Sequence, residues 1–332
     1  MEFTYVIRED SGQQYLEITG CKSSAASIRV PMAIDGVPVQ AIGPHAFEKM
    51  EEVRQVQLPD SVKSIGAFAF YGCRNLSTIS LSDNAASWGT GALYFCGNLS
   101  EIRLKVTQRK YSILRDMLAD TDLGIYVRIL DESPGRICAN GREALPSVLS
   151  GRGAGEFASG RAMDDSENAA LLYFPAYTHG FDEDTYARAF HTWIEGCGFA
   201  YRETVMRTGI DYREYDLLFG RAEADGVGGV QTAANVALSR LMYPCSLRES
   251  ARKKYAAYLA EHGEEVLMRL VGDHDRERTM FLLEEGYVSP EAAGRAVLKA
   301  SEQGDAELVG MLMRLRGETG SRGEDEFDLG EL

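Results

Sequence analysis

Three stretches of the chain carry nearly the same residues at a step of 23. Ile42-Gly43 precedes Ala46-Phe47, Ile65-Gly66 precedes Ala69-Phe70, and Trp88-Gly89 precedes Ala92-Leu93. The same step links Val53, Leu76 and Leu99; Val56, Ile79 and Ile102; and Leu58, Leu81 and Leu104. It also links Tyr71 with Tyr94, Cys73 with Cys96, and Asn75 with Asn98. Self-similarity at a fixed period of this length means a solenoid, in which each unit hides its apolar face only against its neighbours. A solenoid is a surface for holding something. That sets the first third of the chain among binding modules rather than enzymes.

Each unit divides in the same way. A short strand (Val53 to Leu58, Leu76 to Leu81, Leu99 to Leu104) is followed by a turn and a second extended piece that reaches the Ile-Gly or Trp-Gly step. A helical turn carrying Ala-Phe then leads back. Small Ala lets neighbouring coils approach, and Phe47, Phe70 and Leu93 fill the interior. Stacked strands form a parallel sheet, so residues alternating with the inward apolar ones point outward. These are Gln55 and Gln57, Thr78 and Ser80, Glu101 and Arg103, with Arg29 ahead of them. Ahead of the units, Phe3, Tyr5 and Ile7 alternate, Glu9-Asp10-Ser11-Gly12 supplies a turn, and Tyr15, Leu16 and Ile18 return. This predicts a hairpin closing the first coil. Asp35-Gly36 predicts a second tight turn inside the first repeat.

The run Val56-Gln57-Leu58-Pro59-Asp60-Ser61-Val62-Lys63-Ser64-Ile65-Gly66-Ala67-Phe68-Ala69-Phe70-Tyr71-Gly72-Cys73-Arg74-Asn75-Leu76 resembles the BspA-type leucine-rich repeat of bacterial proteins. The lead-in Ile34-Asp35-Gly36-Val37-Pro38-Val39 is similar to that family's usual first repeat. The match runs over about residues 20–105 and implies a right-handed solenoid with protein or surface binding. Many relatives are secreted or surface-attached adhesins. This chain shows about three repeats, and in the third Trp88 replaces the Ile and Leu93 the Phe.

Composition limits the partner. A net charge of -15 repels nucleic acid and anionic lipid, and no Lys/Arg cluster offsets it locally. A protein or peptide partner is expected, with no nucleic acid and no membrane insertion. The opening residues, Met1-Glu2-Phe3-Thr4-Tyr5, show no basic leader or apolar run, so a cytoplasmic location is expected. The six cysteines (Cys21, Cys73, Cys96, Cys138, Cys197, Cys245) form no C-x-x-C pair, so no zinc site is expected. Cys73 and Cys96 are expected to stack as buried thiols one rung apart.

Residues 107–119 have helical spacing at Tyr111, Leu114 and Leu118, and Ile125 to Leu130 is strand-like, a candidate last rung. The Gly-, Ser- and Arg-rich stretch that follows predicts a linker at 132–165, with a short helix at Arg142–Leu149. From Ser166 the pattern predicts helices at about 167–174, 182–195, 199–208, 211–222, 229–243, 246–261, 263–271, 273–285, 289–302 and 305–316. Leu270-Val271-Gly272-Asp273 aligns with Glu302-Gln303-Gly304-Asp305 at a step of 32, and the Gly-Asp between helices resembles an ankyrin repeat. The expected architecture is an α/β leucine-rich-repeat solenoid (1–131), the linker, an all-α helical-hairpin, ankyrin-like domain (166–317), and an acidic disordered tail (318–332).

Candidate chemistry is sparse. Asp273-His274-Asp275-Arg276-Glu277 fans around a helix axis and reads as a carboxylate-rich first turn. His191, Trp193 and Cys197 carry no local signature of a thiol nucleophile, and Gly226-Val227-Gly228-Gly229 lacks the Lys-Ser/Thr of a phosphate loop. Tyr173-Phe174-Pro175-Ala176-Tyr177 with Phe181 is an aromatic cluster that reads as core packing, with an aromatic peptide pocket as the alternative. No catalytic residue, cofactor or metal ligand is expected. The partner-binding candidates are Arg29, Gln55, Gln57, Thr78, Ser80, Glu101 and Arg103. The alternatives are an enzyme with an unrecognised site in the helical domain, or a secreted or surface adhesin.

Overall fold

The computed structural model describes residues 1–132, 169–184 and 189–314. Most of the expected linker, its helix at 142–149 and the expected acidic tail lie outside these. The described chain forms two compact units, Met1–Gly228 with Tyr243–Leu247, and Gly229–Met242 with the residues from Arg248 on.

The first unit opens with the expected hairpin, β1 (Glu2–Asp10) and β2 (Gln13–Lys22), paired antiparallel. Leu16 and Ile18 turn their apolar side into the first coil and are buried. The coils then run β3 (Ser27–Arg29), β4 (Ala33–Ile34), β5 (Val37–Ile42), β6 (Gln55–Gln57), β7 (Ser64–Ile65), β8 (Thr78–Ser82), β9 (Ser87–Trp88) and β10 (Glu101–Val106). β4 and β5 are a hairpin around Asp35-Gly36, both at positive φ (50° and 81°), the backbone of a type I′ turn.

Helix α1 (Ser112–Ala119) precedes β11 (Ile125–Asp131). The strands line up as two sheets. One runs β1-β2-β5-β7-β9 with β4 beside β5, and the other runs β12-β11-β10-β8-β6-β3, where β12 is Ala169–Phe174. In the second, β3, β6, β8, β10 and β11 are five parallel rungs. Ile28, Val56, Ile79, Ile102 and Val127 stand at one level, spaced 28, 23, 23 and 25 residues apart. The outer rungs break the period because the β4–β5 hairpin and α1 lengthen their coils, so exact repetition shows only about three.

The interior follows the repeat. Ala46, Ala69 and Ala92 are buried, as are Phe47, Phe70 and Leu93, and the Phe47 and Phe70 rings stack at 5.2 Å and 7°. Burying each such ring contributes about 2 kcal/mol. The helical turns expected here are hydrogen-bonded turns whose amides reach the next coil, as Phe47 N to Ala69 O (2.8 Å) and Phe70 N to Ala92 O (3.0 Å). The Ile-Gly step has a steric cause. A Cβ on Gly66 would stand 2.4 Å from the Pro44 nitrogen. The thiols of Cys73 and Cys96 donate to the carbonyls of Phe47 and Phe70, one rung apart, and are free.

After β12, the expected all-helical pattern does not hold. β13 (Thr178–Asp184) and β14 (Ala189–Glu195) form an antiparallel hairpin where one helix was predicted at 182–195, and β12 replaces the helix predicted at 167–174. The run Ala-Ala-Leu-Leu-Tyr-Phe of β12 is too short and too uniformly apolar for periodicity to separate strand from helix. The free edge of β11 decides, because its backbone groups pair antiparallel with Ala169–Phe174. Short helices α2 (Gly198–Arg202), α3 (Tyr212–Leu217) and α4 (Phe219–Glu223) surround a small hairpin of β15 (Val205–Met206) and β16 (Gly209–Ile210).

The second unit is helical: α5 (Val230–Met242), α6 (Glu249–Gly272), α7 (Arg276–Glu284), α8 (Pro290–Glu302) and a further helical segment at 306–314. α6 is continuous through Gly263, where the sequence predicts a break between helices at 246–261 and 263–271. That glycine lets the backbone of Tyr287 approach, since a Cβ would lie 2.2 Å from its carbonyl oxygen. Asp275, Ser289 and Asp305 accept from the backbone amides of Arg278, Ala292 and Leu308, capping the three helices they precede. His274 with Asp305, Arg295 with Glu264, and Lys299 with the Met268 carbonyl are each 31 residues apart, which marks stacked helical pairs.

Candidate functional site

Register places the expected outward residues in two rows. Gln55, Thr78, Glu101 and Tyr126 are cross-strand neighbours in one; Arg29, Gln57, Ser80, Arg103 and Arg128 form the other. The seven residues predicted as a contact face therefore share one sheet face, but they are not equally available. Arg29 and Gln55 are exposed and Gln57 half-buried, whereas Thr78 is only 7% exposed.

Toward β11 the face closes on itself. The Glu101 carboxylate accepts from Arg103 at 2.7 and 3.0 Å and from Arg128 Nε at 3.2 Å. Burial works against ionisation of Glu101, yet the hydrogen bonds and charges of Arg103 and Arg128 outweigh it and hold the carboxyl below its usual range. Arg128 also donates to the Tyr243 hydroxyl at 2.8 Å and lies 5.3 Å from that ring centroid. Tyr126 packs on Tyr173 of β12 at 4.8 Å. The exposed part of the face is thus Arg29 and Gln55, with Gln57 half-buried beside them, and the Glu101–Arg103–Arg128 cluster knits the far rungs together. The contact with Tyr243 spans 115 residues, and nothing local in the sequence announces it.

The stacked turns make a second surface that sequence reading missed. Two turn positions in each of three successive coils have a left-handed backbone: His45, Phe68 and Gly91 (φ 57°, 57° and 71°), and Lys49, Gly72 and Phe95 (φ 56°, 70° and 62°). Both series keep the 23-residue step. His45 stacks on Phe68 at 5.3 Å, Phe68 meets Tyr71 edge-on at 5.8 Å, and Tyr71 meets Phe95 edge-on at 5.2 Å. This aromatic ridge ends at Tyr94 and Phe95, beside a concavity of about 510 Å³ that also borders Asp120, Asp122, Tyr177 and His179. Buried Arg202 lies over the Tyr177 ring at 4.7 Å and donates to the carbonyls of Leu118, Leu123, Pro175 and Gly198. Burial lowers its pKa to about 10.

The residues weighed as chemistry are placed as follows. Cys197 is buried, its thiol pushed up to about 12 by burial, and its amide donates to Asp225. The side chain of His191 lies outside the described residues. Gly228 N is held by Asp225, which closes the Gly226–Gly229 loop. Phe174 meets Tyr215 edge-on at 6.0 Å, consistent with core packing. Among the described residues, no group of three or more His, Cys, Asp or Glu side chains is placed to share a metal ion. No helix of the described residues is long and apolar enough to cross a membrane.

Comparison with known proteins bears on the first unit. A leucine-rich repeat protein from T. pallidum is 28% identical over 32% of this chain and 51% of that chain, with a TM-score of 0.29. A leucine-rich repeat protein from Bacteroides capillosus is 31% identical over 30% of this chain and 76% of that one (TM-score 0.28). A leucine rich cell surface protein from Faecalibacterium prausnitzii is 26% identical over 31% and 33% (TM-score 0.24). The chain thus spans about half the length of the first of these. A search of curated proteins finds no match to this chain. The family model of the BspA type leucine rich repeat region matches residues 23–125 in six copies, and this part of the chain is a BspA-type leucine-rich repeat region.

Proposed function

We propose that the chain is a non-catalytic interaction module that binds a protein or peptide through its repeat surface. Leucine-rich repeat proteins are generally interaction or surface modules, and the five stacked rungs supply a rigid wall of that kind. The observation that carries the reading is the pair of polar rows on one sheet face, in which register sets Gln55 in one row and Arg29 beside Gln57 in the other, with Arg29 and Gln55 exposed. Backbone pairing already fixes these positions, so little ordering entropy is lost on contact. The net charge of -15 favours a neutral or basic partner. The reading includes a cytoplasmic location and an ankyrin-like role for the stacked helical pairs as a second platform.

The test is affinity capture from the host lysate with mass spectrometry, using the full chain and an Arg29→Glu, Gln55→Lys variant. Loss of a captured protein with an unchanged melting temperature supports the reading, and unchanged capture removes the strand face. Glu101 and Arg103 are unsuitable for this test, since their mutual pairing makes any substitution a structural one. A turnover activity in the purified chain would overturn the non-catalytic part.

A further inference from the structure

We propose that the concavity at the end of the aromatic ridge, bounded by Tyr94, Phe95, Asp120, Asp122, Tyr177 and His179, takes an arginine-bearing peptide segment. The inference rests on the interaction-module reading but places the contact on the turns rather than on the strand face.

The first argument is the cost of Phe95. It occupies a backbone position at φ 62° and is 67% exposed, so it is both strained and solvated. One rung earlier the same position holds Gly72, at φ 70°, which is the unstrained solution for this geometry. Phe68 also has a left-handed backbone, but its ring is used by the fold: it stacks on His45 and lies against Gly91, where a Cβ would meet it at 2.6 Å. Phe95 stands on the last turn of the ridge and keeps an open face beyond its edge contact with Tyr71. Tyr94, next to it, is 44% exposed. An exposed aromatic pair, kept where glycine would cost less, is what a contact surface requires.

The second argument is charge. The residues bordering the concavity include two carboxylates, Asp120 and Asp122, and no Lys or Arg. One buried guanidinium, Arg202, lies over the Tyr177 ring, interacts with Asp122 and offsets part of this, leaving an excess of negative charge in a protein already at -15. Aromatic faces beside carboxylates suit a delocalised, weakly hydrated cation. A guanidinium can stack on Tyr94 or Phe95 while donating to Asp122, and an ammonium lacks that planar fit. The buried Arg202 already stacks on the Tyr177 ring in this way, at 4.7 Å from its centroid.

The test is fluorescence anisotropy of the full chain with a labelled, end-capped peptide of alternating arginine and glycine, against its glutamate counterpart. The arginine peptide should bind and the glutamate peptide should not. Phe95→Gly with Tyr94→Ser should weaken binding at least tenfold without changing net charge, which separates the site from general attraction to an acidic surface. Phe95→Gly relieves the left-handed strain, so the melting temperature should hold or rise. If it falls, Phe95→Asn, also tolerant of that backbone, replaces it. Asp122→Asn should weaken binding severalfold. The Arg29→Glu, Gln55→Lys variant should bind the peptide as wild type does, so the two surfaces fail independently. Absence of arginine-peptide binding, equal binding of both peptides, or an unchanged Kd in the aromatic variant each overturns the proposal. Binding of neutral maltohexaose without the arginine peptide would reassign the concavity to a glycan.

Discussion

The Trp88 indole nitrogen donates to the Asp120 carboxylate at 3.0 Å, joining residues 32 apart. The same carboxylate accepts from Gly91 N at 3.0 Å and Leu93 N at 3.2 Å. In earlier coils, turn amides pair with carbonyls of the next unit. Here the units have run out, and a side chain from just beyond α1 takes their place. Asp83 does parallel work, fully buried and accepting from Thr107 N, Thr107 Oγ1, Gln108 N and Lys110 N at 2.7–3.2 Å.

Asp120→Ala should therefore cost about 3 kcal/mol, because three donors at the end of the stack lose a charged acceptor. Urea unfolding of the full chain checks this. A loss below about 0.5 kcal/mol would show that solvent replaces the carboxylate.

Glu101 ties stability to pH. Its carboxyl is held below the usual range in the folded chain, so the unfolded chain binds more protons in that window. The contribution is fully present above the ordinary glutamate pKa, about 4.3, and is lost as pH falls through the folded value. Glu101→Gln should flatten part of the acid limb of stability against pH and cost about 1–3 kcal/mol at neutral pH. An identical acid limb in both proteins would contradict the assignment.

Two glycines should respond in opposite ways to alanine. Helix propensity alone favours Ala by about 1 kcal/mol at each. At Gly310 nothing stands within 4 Å of the new methyl, so Gly310→Ala should stabilise by about that amount. At Gly263 the methyl would meet the Tyr287 carbonyl at 2.2 Å, and the overpacking cost of about 1–3 kcal/mol prevails. Thermal melts of the two variants decide it, and movement in the same direction would refute the steric account.

The thiols of Cys73 and Cys96 should resist alkylation in the folded chain. Burial pushes them up to about 11 and about 12, so almost no thiolate exists near neutral pH. Timed iodoacetamide labelling with peptide mapping should find Cys21, half-buried, modified first, and Cys73 and Cys96 only on unfolding. Early labelling of Cys96 would mean that the last coil opens.

The repeat was legible because one 23-residue unit answers the same packing problem several times, so Val56, Ile79 and Ile102 recur in sequence as they do in space. The departures in the third unit were legible as oddities only: Trp88 and Leu93 differ because their coil meets Asp120 and α1 rather than another coil. The strands at 169–195 were misread as helices, since short apolar runs take their form from the edge they meet, and β11 lies far away in sequence. Alternation along the strands makes the shared sheet face of the seven candidates legible, but the partial closure over Glu101, Arg103 and Arg128 depends on Tyr243. The ridge is not legible in sequence, because His45, Phe68 and Phe95 are ordinary letters until their backbone angles are known.

The reversed direction of β12 closes one end of this platform. Parallel rungs offer an edge on which another copy of the same unit could grow, and an antiparallel strand bonded to Ile125–Leu130 occupies that edge. Lengthening by tandem duplication is then accommodated between Val56 and Ile102, where the step is regular, each new unit adding about 4.8 Å to the row. The ends would stay as they are, and only the ruler between them would change.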